Sequence, residues 1–274
     1  MMEESVENSA DVPIIDVSLL HQNPVSKSTL VKKIHEACRT YGFFHVINHG
    51  VGESVIEEAL DVNRKFFEQP QEIKGGAFLD DVNKVVRFGK VQVGGYSRDL
   101  LKLYAHPLHQ FLSSWPTLPV LYRERMGLYA TELKLCIELF GAIMESLHLS
   151  ETHLTQNFEQ GIQILGINSY PPCSRSNITT GIPPHSDHSL ITVLLQSGPG
   201  LQVIDCGGSW KNVPRLKGSF QVLIGDHLEV LSNGLYKSVL HRAIPSCSDT
   251  RLSIANLHSL GMDEIVEPAG RAGE

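Results

Sequence analysis

The segment HSDHSLITVLLQ, residues 185–196, joins two polar side chains to a run of aliphatic and β-branched residues. Such a run is typical of a buried strand, and a strand sends successive side chains to opposite faces. If the polar start of the segment is also extended, His185 and Asp187 project to the same side and can bind one ion. The segment therefore predicts a strand with a pair of metal ligands at its entrance.

Two later segments extend this prediction. His241 lies in SVLHRA (238–243), and Arg251 and Ser253 lie two residues apart in TRLSIA (250–255). Two imidazoles and one carboxylate are the set that holds ferrous iron on one face and leaves the opposite face open. Arg251 and Ser253 would share a strand face and could hold a small carboxylate beside the metal. A barrel or two-sheet roll would bring the distant His241 back to the first pair.

Each piece has an ordinary structural interpretation when it stands alone. A His-x-Asp pair is common in turns, a lone His beside Val and Leu is usually a core residue, and Arg251 could form a surface ion pair. The order of the pieces, and their placement in strand-like segments, favours the metal site over these alternatives.

Beyond Gly161 the sequence consists of short runs rich in Val, Ile and Leu, separated by turn signals at 198–200, 206–208 and 232–234. No helical pattern lies between these runs, so they predict a sandwich or barrel rather than βαβ units.

The N-terminal half predicts helices. Apolar spacing indicates a helix over 28–41, with Ser28 as its cap and Gly42 as its stop, and further helices over 54–67 and 121–147. Between the first two helices, FFHVI (43–47) reads as a strand. Here His45 and His49 are expected to serve core or turn hydrogen bonds.

Composition limits the function classes. The chain has 274 residues, 42% of them hydrophobic, and a formal charge of −7, which gives no general footprint for nucleic acid or an anionic membrane. No apolar run approaches the roughly 18 residues of a membrane span, and the acidic start is unlike a signal peptide. Five scattered cysteines without a CxxC pair indicate reduced thiols. We expect a cytoplasmic monomer that binds no nucleic acid and no membrane.

These motifs together resemble the plant-type 2-oxoglutarate- and Fe(II)-dependent dioxygenases of the isopenicillin N synthase-like superfamily. The resemblance rests on INSYPPCS (167–174), HSDHSLITVLLQ, GLQVID (200–205), GDHLEVLSNGLYKSVLHRA (225–243) and RLSIAN (251–256), with VPIIDVSLL (12–20) and YGFFHVINHGV (41–51) near the start. It implies an α+β fold with a double-stranded β-helix, or jelly-roll, core and N-terminal and flanking helices. The expected divisions are an N-terminal dioxygenase segment at 11–115, a connecting helix at 116–160 and the jelly-roll domain at 161–262.

The resemblance also implies roles for particular residues. His185, Asp187 and His241 would bind the metal, while the cosubstrate would contact Arg251, Ser253, Tyr170 and Asn168. The competing groups His188, Asp226 and His227 would then have structural roles.

The implied reaction is oxidative decarboxylation of 2-oxoglutarate to succinate and CO2. Through a ferryl oxidant, it would be coupled to hydroxylation or desaturation of a small specialised metabolite of the flavonoid, alkaloid or hormone class. The implied requirements are Fe(II), O2 and 2-oxoglutarate, with ascorbate as reductant. Two alternatives stay open: an iron oxidase of the same superfamily that does not use 2-oxoglutarate, and an inactive truncated binding or regulatory homologue.

Several positions depart from the family pattern. The stretch 86–98 is short, Ser97 stands where relatives carry Trp, and Leu223 stands where many have Asn. The sequence also stops at Glu274, before the C-terminal helices that help to cover the pocket in relatives. These departures predict a shortened or truncated member. Five apolar residues are candidates for the substrate pocket, with an ordinary core role as the alternative: Phe88, Tyr96, Leu103, Phe111 and Leu195.

Overall fold

The computed structural model describes residues 8–74, 79, 81, 84–133, 135–149, 158, 160–173, 180–205 and 207–269. Within these residues the strands form two sheets. The strands are β1 (Ile14–Asp16), β2 (Phe43–Ile47), β3 (Val86–Val93), β4 (Tyr96–His106), β5 (Ile162–Tyr170), β6 (Ile182–His185), β7 (Ile191–Gln196), β8 (Leu201–Ile204), β9 (Trp210–Asn212), β10 (Phe220–Ile224), β11 (His241–Ala243) and β12 (Arg251–Ser259).

The larger sheet has eight strands in the order β1-β2-β10-β7-β12-β5-β4-β3, and the smaller has four in the order β6-β11-β8-β9. Some strands that are adjacent in the sheet, such as β2 and β10, are far apart in sequence, so long connections join them. The strand β12 lies between β5 and β7 and pairs antiparallel with both. The predicted α+β class with a jelly-roll core is confirmed, as the comparisons below also indicate.

The helices pack on this framework. They are α1 (Pro24–Thr40), α2 (Glu53–Glu68), α3 (Gln71–Lys74), α4 (Leu108–Phe111), α5 (Tyr122–Glu132), α6 (Leu135–Ser146) and α7 (Asp226–Leu231). Helix α1 contacts α6, and α2 contacts α5. The buried side chains of these helices join those of the large sheet in one apolar core. This core covers one face of the large sheet, and the opposite face lines the candidate site.

The first helix begins earlier than the sequence predicts. Its cap is Asn23, whose side chain accepts a hydrogen bond of 2.9 Å from the Ser26 amide, and Pro24 takes the first helical position. Both are standard start signals, so the prediction of Ser28 as cap was wrong. The predicted stop is confirmed: Gly42 has φ +73°, and a Cβ there would lie 2.4 Å from the carbonyl oxygen of Lys237.

Two other helix predictions need correction. The helix predicted over 121–147 is two helices, α5 and α6, with a turn at Leu133, whose carbonyl accepts from the Cys136 amide. Buried residues continue on both sides of the break, so apolar spacing does not reveal it. In addition, α7 lies between β10 and β11, where no helix was predicted. The end of the predicted connecting helix, at 150–157 and 159, lies outside the described residues.

The stretch with the shortened connection is a tight hairpin. Strands β3 and β4 are joined by Gly94 and Gly95, with φ of +54° and +83°. Two consecutive positive φ angles match the twist of a two-residue hairpin turn, and glycine adopts them without steric cost. The hairpin brings β4 to the edge of β5.

None of the helices formed by the described residues is long and apolar enough to cross a membrane. The cytoplasmic location stays a prediction.

Candidate active site

Three side chains meet at one end of the small sheet. His185 ends β6 and lies opposite His241, the first residue of β11. The ligand atoms of these two residues and of Asp187 all lie within 4.8 Å of one another. The Nε2 atoms of His185 and His241 are 3.7 and 3.8 Å from the Asp187 Oδ1 atom. This spacing suits three ligands around one ion.

The two histidines are oriented by backbone contacts. The Nδ1 atom of His185 lies 2.9 Å from the Pro183 carbonyl oxygen, and that of His241 lies 3.0 Å from the Val239 carbonyl oxygen. A carbonyl can only accept, so Nδ1 carries the proton and Nε2 is left free to bind a metal. Burial lowers the pKa of His241, against the opposing charge of Asp187. Burial therefore favours the neutral imidazole that a metal requires, whereas the charge of Asp187 favours the protonated ring.

Asp187 lies in the loop after β6, so strand alternation does not orient it as the sequence predicted. Instead its backbone is held by the start of α7, where the Asp226 amide donates to the Asp187 carbonyl at 2.7 Å. The Ser186 hydroxyl donates to the Asp226 carboxylate at 3.2 Å. Gly225 allows this close packing, since a Cβ there would lie 2.1 Å from the Ser189 carbonyl oxygen and 2.8 Å from that of Asp187.

The predicted cosubstrate residues lie on the large sheet, in two neighbouring rows. Arg251 pairs with Tyr170, and Ser253 pairs with Asn168, across β12 and β5. Residues that face each other across two strands share a face of the sheet, so all four side chains lie on the side of the metal cluster. The Arg251 guanidinium lies 4.7 Å from the centre of the Tyr170 ring.

Arg251 is buried and only partly hydrogen-bonded. Its Nε donates to the Gly198 carbonyl at 3.3 Å and its Nη2 to the Gln196 side chain at 2.5 Å, while its buried Nη1 has no hydrogen-bond partner. An unsatisfied charged donor is costly inside a protein. Gly200 lets the Arg251 side chain lie close to the backbone, because a Cβ there would lie 3.1 Å from Arg251 Cδ and Nε. The pattern fits a slot for a carboxylate that arrives with a ligand.

The His-Asp-His cluster and the residues around Arg251 open into one cavity of about 310 Å³ between the two sheets. Its wall includes all seven predicted site residues and several aliphatic side chains: Leu100, Ile164, Ile182, Leu194, Leu201, Leu223 and Leu257. Leu223, one of the departures that the resemblance indicated, is therefore a wall residue. The fit of metal ligands, carboxylate slot and apolar wall agrees with an iron and 2-oxoglutarate site.

The five apolar residues proposed for the pocket do not line this cavity. Phe88 and Leu103 belong to the main core, and Leu195 lies there too. Tyr96 packs against Tyr170 from outside the cavity, while Phe111 contacts Tyr104. For Phe88, Leu103 and Leu195 the core alternative is therefore the one observed. Strand alternation explains it, because Leu100 and Leu194 face the cavity while their neighbours Leu101 and Leu195 face the core.

The large sheet contributes two cations to the wall, Arg98 and Lys102, that were not predicted as site residues. They alternate with Leu100 along β4, which is the signal that could have found them. Arg98 is buried and donates to the Asn168 carboxamide oxygen, and its Nε has no partner. The carboxamide oxygen of Asn168 therefore already accepts a hydrogen bond from Arg98. Burial lowers the pKa of both Arg98 and Lys102.

His188, expected to be structural, lines the cavity, whereas most of the other polar residues singled out in the sequence have structural contacts. His227 Nδ1 lies 2.7 Å from the Ser259 hydroxyl, and His49 Nε2 donates to the Gly218 carbonyl at 2.9 Å. His45 is buried beside Ser219. Cys173 packs against the cluster of Tyr96 and Tyr170, and the described cysteines are free thiols. Cys206 lies outside the described residues.

The chain matches two family models. One describes the 2OG-Fe(II) oxygenase superfamily and covers residues 161–259, and the other describes the N-terminal region of non-haem dioxygenases in morphine synthesis and covers residues 12–102. The chain is 40% identical to flavanone 3-dioxygenase 3 of Oryza sativa subsp. japonica, over 94% of its own length and 81% of that protein's.

Solved structures agree. The crystal structure of JOX2 in complex with 2OG, Fe and JA superposes with a TM-score of 0.82 at 31% identity, covering 95% of this chain and 78% of that one. The Arabidopsis thaliana dioxygenase for auxin oxidation 1, in a binary complex with 2-oxoglutarate, gives a TM-score of 0.82 at 27% identity, covering 94% and 96%.

The chain belongs to the 2OG-Fe(II) oxygenase superfamily. Within it, the chain is a 2-oxoglutarate- and Fe(II)-dependent dioxygenase, as the sequence resemblance predicted, with iron as its metal and 2-oxoglutarate as its cosubstrate. A soluble reductant such as ascorbate and a monomeric state stay predictions.

Proposed function

We propose that this dioxygenase couples the decarboxylation of 2-oxoglutarate to hydroxylation or desaturation of a small specialised metabolite. In hydroxylation, substrate, 2-oxoglutarate and O2 give hydroxylated substrate, succinate and CO2. In desaturation, the substrate loses two hydrogens and water is formed instead. The observation that carries the proposal is that the His-Asp-His cluster and the unpartnered Nη1 of Arg251 open into one cavity.

In this proposal, His185, Asp187 and His241 hold iron and leave its other face for cosubstrate and dioxygen. When bound, the iron supplies the redox chemistry that splits dioxygen and oxidises an unactivated C–H bond. Asp187 contributes the negative charge of the ligand set, and the Nδ1–H contacts keep both imidazoles aimed at the metal.

Arg251 receives the distal carboxylate of 2-oxoglutarate through Nη1, and its other nitrogens stay fixed by Gln196 and Gly198. The planar, permanently charged guanidinium suits a carboxylate because it offers directed donors. Ser253 lies in the next row and adds a hydroxyl donor. The ring of Tyr170 supports the guanidinium, and Asn168 positions Arg98 while its amide group faces the cavity.

The aliphatic wall of the cavity would hold the apolar body of the substrate and keep water from the reacting carbon. The relatives support a small metabolite: one is named for flavanone, one for auxin oxidation, and one was crystallised with JA.

The direct test measures succinate from 2-oxoglutarate with purified protein, Fe(II), ascorbate and air, with and without a panel of flavonoids, alkaloids and hormones. We expect slow succinate formation without a substrate and at least severalfold stimulation by a true substrate, with a product that gains oxygen or loses two hydrogens. Omission of iron, or exclusion of O2, should stop it. No succinate under any of these conditions from folded, iron-loaded protein would overturn the proposal and favour a binding or regulatory homologue.

A further inference from the structure

The large-sheet wall of the cavity carries more positive charge than the proposed cofactor and cosubstrate would neutralise. Arg98, Lys102 and Arg251 line the cavity from this sheet, and among the described lining residues the one carboxylate is Asp187. The charges of a ferrous ion, Asp187, Arg251 and doubly charged 2-oxoglutarate cancel. Arg98, which is buried, and Lys102, which is half-buried, are then left without a compensating charge. Buried charge of this kind is usually matched by a partner.

Lys102 is the cation with the most freedom to bind a ligand. No hydrogen bond or ion pair joins it to any other residue in the described part of the chain. Lys90, on the neighbouring strand, instead forms an ion pair of 3.3 Å with Asp99. Burial, and then the charges of Arg87 and Arg98, lower the pKa of Lys102. An anion at this position would offset both effects.

The space beside Lys102 is also open. Its partner on β5 is Gly166, which is followed across the sheet by Ala255. A Cβ at Gly166 would meet the Leu257 side chain at 3.7 Å, an ordinary van der Waals contact, so a methyl-sized group fits there without a clash. Gly166 and Ala255 both line the cavity, so a ligand group can come close to the sheet here.

Lys102 is separate from the carboxylate slot of Arg251. Arg251 pairs with Tyr170, whereas Lys102 pairs with Gly166, four residues away on β5. At about 3.3 Å per residue the two rows are roughly 13 Å apart. Between Lys102 and the slot lies the row of Leu100 and Asn168, so Lys102 faces the part of the cavity left for the second substrate.

We propose that Lys102 is a specificity-determining residue that binds a carboxylate on an otherwise apolar prime substrate, over the open backbone of Gly166. This inference rests on the proposed function, because it takes the Arg251 slot to be filled by 2-oxoglutarate. The aliphatic residues around Lys102, Leu100 and Leu194 among them, would contact the apolar body of the acid. Arg98, held by Asn168, adds to the positive field without being the contact itself.

The test compares acids with their uncharged counterparts. Dissociation constants for benzoate, cinnamate and 2-naphthoate, and for their primary amides, are measured by calorimetry on the full chain loaded with Mn(II) and 2-oxoglutarate, which does not turn over. We expect at least one acid to bind about tenfold or more tightly than its amide. Lys102→Met keeps the apolar stem and should abolish the preference, whereas Lys102→Arg should retain it. Lys90→Met is the matched control and should leave it unchanged.

Three outcomes would overturn the inference. The first is equal binding of every acid and amide to the unchanged protein. The second is a preference that survives Lys102→Met. The third is a Lys102→Met variant whose affinity for 2-oxoglutarate itself falls as much as its affinity for the acids, which would make Lys102 part of the cosubstrate site. Thermal unfolding checks that each variant is folded. Succinate formation without a substrate, measured in parallel, reports failure of the proposed function separately.

Discussion

The two walls of the cavity are built in different ways. On the small sheet, the metal cluster comes from a strand end, a loop and the start of another strand, and it is held by backbone carbonyls and by the close packing of Gly225. On the large sheet, the residues proposed to bind cosubstrate and substrate stand in regular cross-strand rows of β4, β5 and β12. The positions of the side chains on the first wall depend on local backbone geometry, and those on the second wall depend on the register of the strands.

The difference has a physical reason. A metal needs its ligand atoms around one point, and here the loop after β6 adds Asp187 to two histidines that face each other across paired strands. Extended acids such as 2-oxoglutarate instead need donors spaced along a line, which the pleat of a strand provides. Changes on the small-sheet wall should therefore alter metal binding, while changes on the large-sheet wall should alter ligand affinity with the metal retained.

The largest effect is expected from Asp187→Ala. It removes the only carboxylate of the cluster, so Mn(II) binding followed by electron paramagnetic resonance, and iron-dependent succinate formation, should both fall to background. Asp226→Asn is the control, because Asp226 contacts Ser186 rather than the cluster centre. Metal binding that survives Asp187→Ala would remove this residue from the ligand set.

A large but selective effect is expected from Arg251→Met. It leaves the metal ligands in place and removes the carboxylate partner, so the KM for 2-oxoglutarate should rise about 30-fold or more while Mn(II) affinity is kept. Arg125→Met is the control, since Arg125 is an arginine paired with Glu58 that does not line the cavity. If both variants raised KM equally, the slot would not be specific to Arg251.

A smaller effect is expected from Gly225→Ala. The new methyl group would collide with the Ser189 carbonyl and push the Asp187 loop away, so metal affinity should fall roughly tenfold or more, with 2-oxoglutarate affinity reduced only through the metal. In Gly141→Ala, by contrast, the methyl group meets nothing within 4 Å and should raise helix stability by about 0.5–1 kcal/mol. Unchanged metal titration of Gly225→Ala would contradict the packing argument.

The smallest effect is expected from His258, on the face of the large sheet that points away from the cavity. Burial, and then the nearby charge of His106, lower the pKa of His258 to about 3, so the folded protein holds this ring neutral while the unfolded chain takes up a proton near pH 6.5. Stability is therefore full above pH 6.5 and is lost as the pH falls towards 3. At pH 5, about 1.5 units below the pKa of the unfolded chain, the loss from this residue should be about 2 kcal/mol.

Urea unfolding at pH 7 and pH 5 measures this loss. His258→Leu should show a smaller difference between the two pH values than the unchanged protein. An equal difference would mean that His258 is protonated in the folded state. Its ring would then be more accessible to water than its stacking on Phe158 indicates.

Much of the site was predictable because its chemistry is confined to a few residue types at fixed spacing. His185, Asp187 and His241 come together as expected, although Asp187 owes its direction to a loop and not to strand alternation. Arg251 and Ser253 do follow strand alternation, which is why their shared face could be inferred from two letters of sequence.

The pocket wall was predicted less well. Hydrophobic residues such as Phe88, Leu103 and Leu195 could serve either face of the large sheet, and the sequence carries no sign of which face meets the cavity. Arg98 and Lys102 were missed because a cation on a strand usually points to solvent. Only the second sheet, placed over that face, turns them into cavity residues.

The sequence by itself determined the class of chemistry, through the types of ligand residue and their spacing. It also determined the alternation of side chains along the strands of the C-terminal half. Tertiary structure alone decided which face of β4 lines the cavity, that Arg251 keeps one nitrogen without a partner, and that Lys102 lies over the bare backbone of Gly166. The physical reason is that spacing along a strand is a local property of the backbone. Burial and unmet hydrogen bonds depend on distant segments that pack together only in the folded chain.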